Sequence, residues 1–293
     1  MRIATWNVNS LKARLEKVVW WLERARPDVL LVQETKLADA DAPVAAFRDL
    51  GYELAHHGEG RWNGVAVLSR SGLSGVVTNF GEPLRPARTP DTGDDEPLAE
   101  ARMIAADCGG VRVVCVYAPN GRVVGSPFYE AKLAWYERLA RWLEDAADPA
   151  EALVIGGDFN VAPEDADVWD PRACHGGTHV SPPEREAFAR LSRWGLIDVY
   201  RKHHPEPERY TWWDYRAGNF HKNIGMRIDH LLATPPLANR SVWAEIDREA
   251  RKGKPLPSDH APLLFDVDAP GHPLDAGWTS AEGRIAARRA GGR

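Results

Sequence analysis

Four apolar residues in a row, Val29-Leu30-Leu31-Val32, stop abruptly at Gln33-Glu34-Thr35-Lys36. A strand apolar on both faces must be covered on both faces, so this run calls for a layered sheet rather than a half-exposed hairpin. The same arrangement, an apolar run with an acid or amide at one end, recurs along the chain. Asn7 closes a strand over residues 3–8, and Leu153-Val154-Ile155 runs into Gly156-Gly157-Asp158-Phe159-Asn160. Asp229 follows Arg227-Ile228, and Asp259-His260 stand just before a strand over residues 262–267. An acid at the exit of a buried strand lies at the sheet rim, where α/β proteins build their sites. Asp, Asn and Gly also follow strands simply because they make turns, so one instance says little. Five of them pool acids at one rim.

The rest of the chain supports an α/β fold. Leu11, Leu15, Val18, Val19 and Leu22 fall at i, i+4, i+7, i+8 and i+11, one face of a helix that Pro27 terminates. Strand-like runs follow at residues 65–68, 102–106 and 111–117, the last two joined through Gly109-Gly110 as a hairpin. Helices are expected over 133–143 and 184–194, and further strands near 210–215, 228–233 and 242–246. With 293 residues and 44% apolar content the chain can bury a large core, which excludes a disordered class. The Pro- and Asp-rich interval 82–97 reads as a surface loop, because strands flank it. A single domain over 1–268 is expected, followed by a mobile basic tail over 269–293 that carries Arg284, Arg288, Arg289 and Arg293.

Three cysteines, Cys108, Cys115 and Cys174, show no CxxC spacing, which argues against a disulfide framework and a cysteine zinc site and suits a reducing cytoplasm. No signal-like h-region and no membrane-length apolar run is present, so a soluble intracellular protein without membrane association is expected. Net charge is 37 − 42 = −5, which on its face disfavours a nucleic-acid partner. The surplus is local, however. Asp91, Asp94, Asp95, Glu96 and Glu100 lie in ten residues free of Lys and Arg, and without these five the balance is 37 against 37. Over residues 201–227, six basic residues (Arg201, Lys202, Arg209, Arg216, Lys222, Arg227) meet three acidic ones (Glu206, Glu208, Asp214). The pairs His56-His57 and His203-His204 read as solvated or capping residues, because neighbours in a strand point to opposite faces. No glycine-rich phosphate loop and no GxSxG motif is present.

Carboxylates and amides pooled without a His or Cys cluster form a hard oxygen site that selects magnesium or manganese. Packed like charges must otherwise protonate, so a divalent cation is their natural partner. The chemistry that needs this combination is phosphoester hydrolysis, with a nearby histidine and tyrosine donating to the charge that develops on phosphate.

At this point the motifs carry a family resemblance. Trp6-Asn7-Val8-Asn9, Gln33-Glu34-Thr35-Lys36, Tyr117-Ala118-Pro119-Asn120-Gly121-Arg122, Gly157-Asp158-Phe159-Asn160, Tyr210-Thr211-Trp212-Trp213-Asp214-Tyr215, Arg227-Ile228-Asp229 and Ser258-Asp259-His260-Ala261-Pro262 resemble the ordered motifs of the exonuclease III family of abasic-site endonucleases, within the endonuclease/exonuclease/phosphatase superfamily. The resemblance implies a four-layer α/β sandwich of two packed mixed β-sheets flanked by helices. It implies a Mg2+-dependent nuclease, with Mn2+ able to substitute, that cuts on the 5′ side of abasic sites in duplex DNA and trims 3′ ends. A monomer in the cytoplasm, associated with the nucleoid in a bacterium, is the matching setting.

Roles follow residue by residue from that resemblance. Glu34 matches the main metal ligand, with Asn7 beside it, Asp259 contributing, and Asp158, Asn160 and His260 in the same set. Asp158 matches the residue that orients or deprotonates the attacking water, and Asn160 the one that holds that water or a phosphate oxygen. Asp229 is expected to fix His260, and Tyr117 to support the phosphate or leaving oxygen. Asn120, Arg122, Arg216 and Asn223 match DNA-contacting positions, and Trp212, Met226 and Ile228 an apolar pocket for an extruded abasic sugar. Asn9 stands where some relatives carry an acid. Cys174, His175 and His179 hint at zinc, but Thr178-His179-Val180-Ser181-Pro182-Pro183 resembles a non-catalytic stretch of the family.

Overall fold

The computed structural model describes residues 1–82 and 100–274. In chain order the first half runs β1 (Arg2–Asn7), α1 (Leu11–Ala25), β2 (Val29–Gln33), α2 (Val44–Arg48), β3 (Glu53–His57), β4 (Val65–Ser69), β5 (Ser74–Thr78), β6 (Met103–Cys108), β7 (Val111–Tyr117) and α3 (Pro127–Ala146). The second half runs β8 (Leu153–Asp158), α4 (Pro171–Cys174), α5 (Pro182–Trp194), β9 (Ile197–Asp198), α6 (Val199–His203), α7 (Asn219–Lys222), β10 (Asp229–Ala233), α8 (Pro235–Ala238), β11 (Ser241–Ile246) and β12 (Leu263–Val267).

The strands form two six-stranded sheets, ordered β11-β12-β1-β2-β4-β3 and β5-β6-β7-β8-β10-β9. Both are mixed: β1 pairs with β2 in parallel and β7 with β8 in parallel, while the other neighbours are antiparallel. Strand alternation then sorts the apolar residues. Ile3, Val29, Leu31 and Val67 face Ile104, Val113, Val154 and Leu231 in a core between the sheets. Leu30, Val32 and Leu68 pack outward against Val18, Trp21 and Leu22 of α1. On the far side, Val114, Val116 and Ile155 meet Tyr136, Leu139 and Leu143 of α3 and Phe188 and Leu191 of α5. The result is the four-layer α/β sandwich, and it explains why β2 is apolar on both faces.

Each parallel pair ends at the same rim. Asn7 is opposite Gln33 at the end of β1 and β2, and Tyr117 opposite Asp158 at the end of β7 and β8. Antiparallel β10 starts there, with Asp229 opposite Asp158. Strand β12 runs antiparallel to β1, with Leu263 opposite Thr5, so the preceding Asp259-His260 reach the same edge.

Several expectations need correction. In α1, Leu11, Val18 and Leu22 are buried, but the buried face also holds Arg14, Lys17 and Trp21, while Leu15 and Val19 are only half-buried. Partners explain it: Arg14 donates to Tyr215 Oη at 3.0 Å, Lys17 to Lys252 O at 2.8 Å and Trp21 Nε1 to Asp247 Oδ2 at 3.0 Å. Residues 210–215 are not a strand of either sheet. Their backbone groups bond to two loops instead: Trp212 exchanges bonds with Met226 (2.9 and 3.0 Å), and Ala261 donates to Thr211 O at 2.7 Å. His56 is not solvated. Its ring lies between Thr35 Oγ1 (2.8 Å) and Asp39 Oδ1 (2.7 Å), and His57 is buried. His203 and His204 stand at the end of a helix, not in a strand, and bond Ser241 Oγ and Ala244 O.

Residues 269–274, expected to open the tail, are tied to the domain. Gly271 N donates to Asp266 Oδ2 at 2.7 Å, and Leu274 is buried in the α1 core. Residues 275–293, with the four tail arginines, lie outside the described residues, as do Asp91, Asp94, Asp95 and Glu96. The strands that bracket the 82–97 interval, β5 and β6, are neighbours in one sheet. No helix among the described residues is long and apolar enough to cross a membrane.

Candidate active site

Asn7 joins the two sheets at the rim. Its Nδ2 donates to Glu34 Oε1 at 2.8 Å and to Asp158 Oδ2 at 2.9 Å, while its Oδ1 accepts from Asn9 N at 2.9 Å. Asn7 thus turns its NH2 toward an acid on each sheet and its Oδ1 toward the backbone of Asn9. Glu34 sits in left-handed backbone with φ 53°, which turns the chain sharply out of β2. Lys36 Nζ stands 2.9 Å from Glu34 Oε2 and 2.6 Å from Asn9 Oδ1. Asn9 in turn donates to Asp259 Oδ1 at 3.0 Å. Asn9 thus links the lysine beside Glu34 to Asp259.

Asp158, Asp229 and His260 form the buried centre. His260 Nδ1 is 2.8 Å from Asp229 Oδ2, and its Nε2 is 3.9 Å from Asp158 Oδ2. Burial alone would lower the imidazole pKa, but the Asp229 carboxylate, with Asp158 and Asp259, outweighs it and raises the value to about 10. Asp158 moves the other way from its usual range. Burial and the nearby Asp229 charge push it up to about 7, against the pull of His260 and the bond from Asn7. Asp259 is half-buried, and partial desolvation opposes its ionisation, yet His260 and the bonds from Asn9 and Trp212 hold its pKa below the usual carboxylate value. Burial and then Glu34 raise the Tyr117 phenol well above its ordinary value, so it stays a neutral donor.

Scaffolding bonds fix these side chains. Thr211 Oγ1 accepts from both Ile228 N and Asp229 N at 3.1 Å, Ser258 Oγ donates to Asn7 O at 2.7 Å, and Trp6 Nε1 donates to His260 O at 3.1 Å. Asn160, at φ 52°, donates from its backbone N to Asp158 Oδ1 at 2.9 Å and from Nδ2 to Ala118 O at 2.9 Å, and its Oδ1 accepts from Asn120 Nδ2 at 3.2 Å.

The donor set suits a divalent cation. Asp158, Asp229 and His260 offer ligand atoms that all lie within 4.8 Å of one another, the one such group of His, Cys, Asp and Glu among the described residues. Asp229 Oδ1 is buried with no protein partner, an arrangement that calls for a cation or water. Carboxylate oxygens dominate, which favours a hard ion. His260 Nε2 donates while protonated and would ligate only after losing that proton. Cys174 packs among apolar residues and His179 Nδ1 lies 2.5 Å from Asn160 O, so the zinc hint is not supported.

Trp212, Met226 and Ile228 come together with Ala162, Val168, Cys174 and Val180 in one small apolar cluster at the rim. Trp212 Nε1 donates to Asp259 Oδ2 at 3.1 Å, which sets this cluster directly against the acids. Trp213 behaves differently: it is fully buried in the core between the sheets.

The positions expected to meet DNA divide. Arg122 is exposed, with its guanidinium 3.6 Å from the Phe128 ring centroid, and Asn120 is exposed beside it. Arg216 projects with 87% of its side chain exposed and is paired to Asp214 at 2.5 Å. Asn223 is half-buried, and its amide bonds within the protein: Oδ1 accepts from Arg248 at 2.7 Å and Trp213 Nε1 at 3.3 Å, and Nδ2 donates to Glu208 O at 3.1 Å. The local charge balance is corrected too. Arg227 is buried between Asp167 (2.7 Å) and Asp198 (2.6 Å), and Arg201 also pairs with Asp167, so two of the six cations hold the fold rather than face solvent.

Sequence reading gave no role to Lys36, Val180, Lys132 or Glu184. A signal existed for Glu184, since Ser181 and Glu184 form an S-x-x-E capping box at the start of α5. Nothing marked it as buried. His179 is held neutral, its pKa down to about 4 through burial and the neighbouring Lys132 charge.

Comparison with known proteins agrees with this geometry. The chain matches the model of the Endonuclease/Exonuclease/phosphatase family over residues 4–260. It is 33% identical over 275 residues to exodeoxyribonuclease III of Haemophilus influenzae, covering 90% of this chain and 98% of that protein. An AP endonuclease from Archaeoglobus fulgidus superposes with a TM-score of 0.83 at 37% identity, over 92% of this chain and 100% of that one. A 3′-phosphatase from Neisseria, solved with a product DNA hairpin, superposes with a TM-score of 0.82 at 39% identity, over the same shares.

Proposed function

Since the chain belongs to the exonuclease III family of AP endonucleases, within the endonuclease/exonuclease/phosphatase superfamily, and is a nuclease of that family, we propose that it hydrolyses the phosphodiester 5′ to abasic sites in duplex DNA and also removes nucleotides and blocking groups from 3′ ends, as a Mg2+-dependent enzyme of base excision repair. The 3′-end activity is supported by the names of the relatives, one an exodeoxyribonuclease III and one a 3′-phosphatase bound to a DNA product. The observation that supports the abasic-site reading is the Trp212 Nε1 to Asp259 Oδ2 bond, because it sets a small apolar cluster beside the acids that would act on the adjacent phosphate.

Glu34 and Asp259, with Asp158 and the unpartnered Asp229 Oδ1 near, would hold the cation. When bound, Mg2+ polarises the phosphoryl oxygen and stabilises the leaving oxygen. The chain's own residues do the rest. Asp158 takes the proton of the attacking water; a pKa near 7 matches a general base at physiological pH. His260, charged and fixed by Asp229, donates from Nε2 to a phosphate oxygen as charge builds there. Asn160 and Tyr117 position the water and the phosphate. Asn120 and Arg122 hold the backbone without reading sequence. Trp212, Met226 and Ile228 admit a base-free sugar and exclude a full nucleotide, and extrusion costs least where the base is missing.

A substrate comparison tests this reading: duplex with one abasic site should be cut far faster than inositol phosphates, and equal rates would assign the chain to another activity of the superfamily. Trp212→Ala should then lower the preference for abasic over intact duplex by about 10- to 100-fold in kcat/KM, the scale at which an apolar pocket discriminates. Trp212→Phe, which keeps a ring but loses the bond to Asp259, should keep most of the preference.

A further inference from the structure

Behind the rim lies a charged pair that the proposed chemistry does not use. Lys132 of α3 and Glu184 of α5 are both fully buried and joined through Glu184 Oε1. An ammonium has three protons, and all three are used here: besides Glu184, Lys132 Nζ donates to Asn160 O at 2.7 Å and reaches Asn120 O at 3.3 Å. Glu184 in turn accepts from His179 N at 3.0 Å, from Ser181 N at 3.2 Å and from Ser181 Oγ at 2.6 Å, with Thr178 Oγ1 at 3.0 Å. His179 Nδ1 completes the hold on the Asn160 carbonyl. A single buried pair therefore fastens the 178–181 loop to Asn120 and Asn160, the two asparagines given roles at the phosphate above.

We propose that Lys132 and Glu184 are positioning residues, which act on the reaction by fixing the carbonyls of Asn160 and Asn120. The inference rests on the role given to Asn160 above. Two facts argue for it over a purely structural role. A buried ion pair is a poor source of stability, since desolvation of both charges offsets most of their attraction. The protons are also directed at the rim: two of the three meet carbonyls of proposed site residues, one of which, Asn160, holds a left-handed φ of 52° between Asp158 and the Arg122 loop. Releasing that carbonyl lets the Asn160 side chain shift relative to Asp158, and a displacement near 1 Å is enough to slow chemistry about a hundredfold.

The test is a mutant cycle on kcat with abasic duplex, using wild type, Lys132→Met/Glu184→Gln, Asn160→Ala and the triple variant. The charge-neutral double variant should melt cooperatively and lose about 30- to 100-fold in kcat with KM changed less than about 3-fold. In the Asn160→Ala background the same two changes should cost less than about 3-fold, because their effect passes through Asn160. The full loss repeated in that background, or a folded double variant with wild-type kcat, would overturn the proposal. Asn160→Ala at wild-type rate would instead overturn the role of Asn160 and this inference with it. Should the double variant fail to fold, Lys132→Leu/Glu184→Gln, which likewise removes both charges at once, carries the same cycle.

Discussion

Asp158→Asn should leave a folded protein that binds abasic duplex with a Kd within about threefold of wild type and incises it at least about 10³-fold more slowly, the scale of a lost general base. The substitution keeps the side-chain shape. An oxygen at Oδ1 can still accept from Asn160 N, so the turn into Asn160 survives. What changes is the edge facing Asn7: an amide nitrogen there would meet the Asn7 donor now 2.9 Å from Oδ2, and one of the two must rotate. Stability should not fall, because Asp158 is raised first by burial and then by Asp229, and removing one of two crowded acids relieves both. Thermal melting and equilibrium binding, measured beside single-turnover incision, separate these effects. A variant that incises at a tenth of the wild-type rate would remove Asp158 from the chemistry.

Asp229→Asn should lower kcat by about 10²- to 10³-fold near neutral pH, the loss typical of one donor to developing charge, and should also introduce a new pH dependence. In the wild type, Asp229 is the chief group that raises His260 to about 10, so the imidazolium persists across the neutral range and kcat should stay flat on this account up to about pH 9. Without Asp229, burial pulls the pKa down with only Asp158 and Asp259 opposing it, so it falls well below the wild-type value. The variant's kcat should then decline with rising pH in a range where wild-type kcat is still flat. Stability follows the same sign. A pKa raised in the folded state stabilises fully below the ordinary 6.5, and that contribution is lost as pH rises towards about 10. The variant should lack this slope in its melting temperature. A kcat profile in Asp229→Asn parallel to wild type would show that His260 does not act as a charged donor.

Much of this was legible because the site is built at strand exits, and strand exits are visible in sequence. Asn7, Glu34, Asp158, Asp229 and Asp259 each stand next to an apolar run, and layered sheets with parallel central pairs leave such residues at one edge. Residues whose side chains turn inward against their type were not legible. Lys132 and Glu184 are 52 positions apart and read as surface charges on two amphipathic helices; only tertiary packing reveals that their charges meet in the interior. Arg227 counts among the six local cations for the same reason, since nothing local announces Asp167 and Asp198. Asn223 matches a contact position by motif, and nothing local shows that its amide also closes a loop against Arg248 and Trp213. The 210–215 segment has strand composition, but its backbone partners lie in two loops rather than a neighbouring strand, and period-two patterning cannot distinguish those cases.

The most direct test uses a labelled duplex with one abasic site, incubated with Mg2+ or with EDTA and resolved to the nucleotide. The account predicts a single cut on the 5′ side of the lesion that leaves a 3′-hydroxyl, dependent on Mg2+ and absent in Asp158→Asn. Incision that persists in EDTA, or a product that ends on the 3′ side of the abasic sugar, would contradict it.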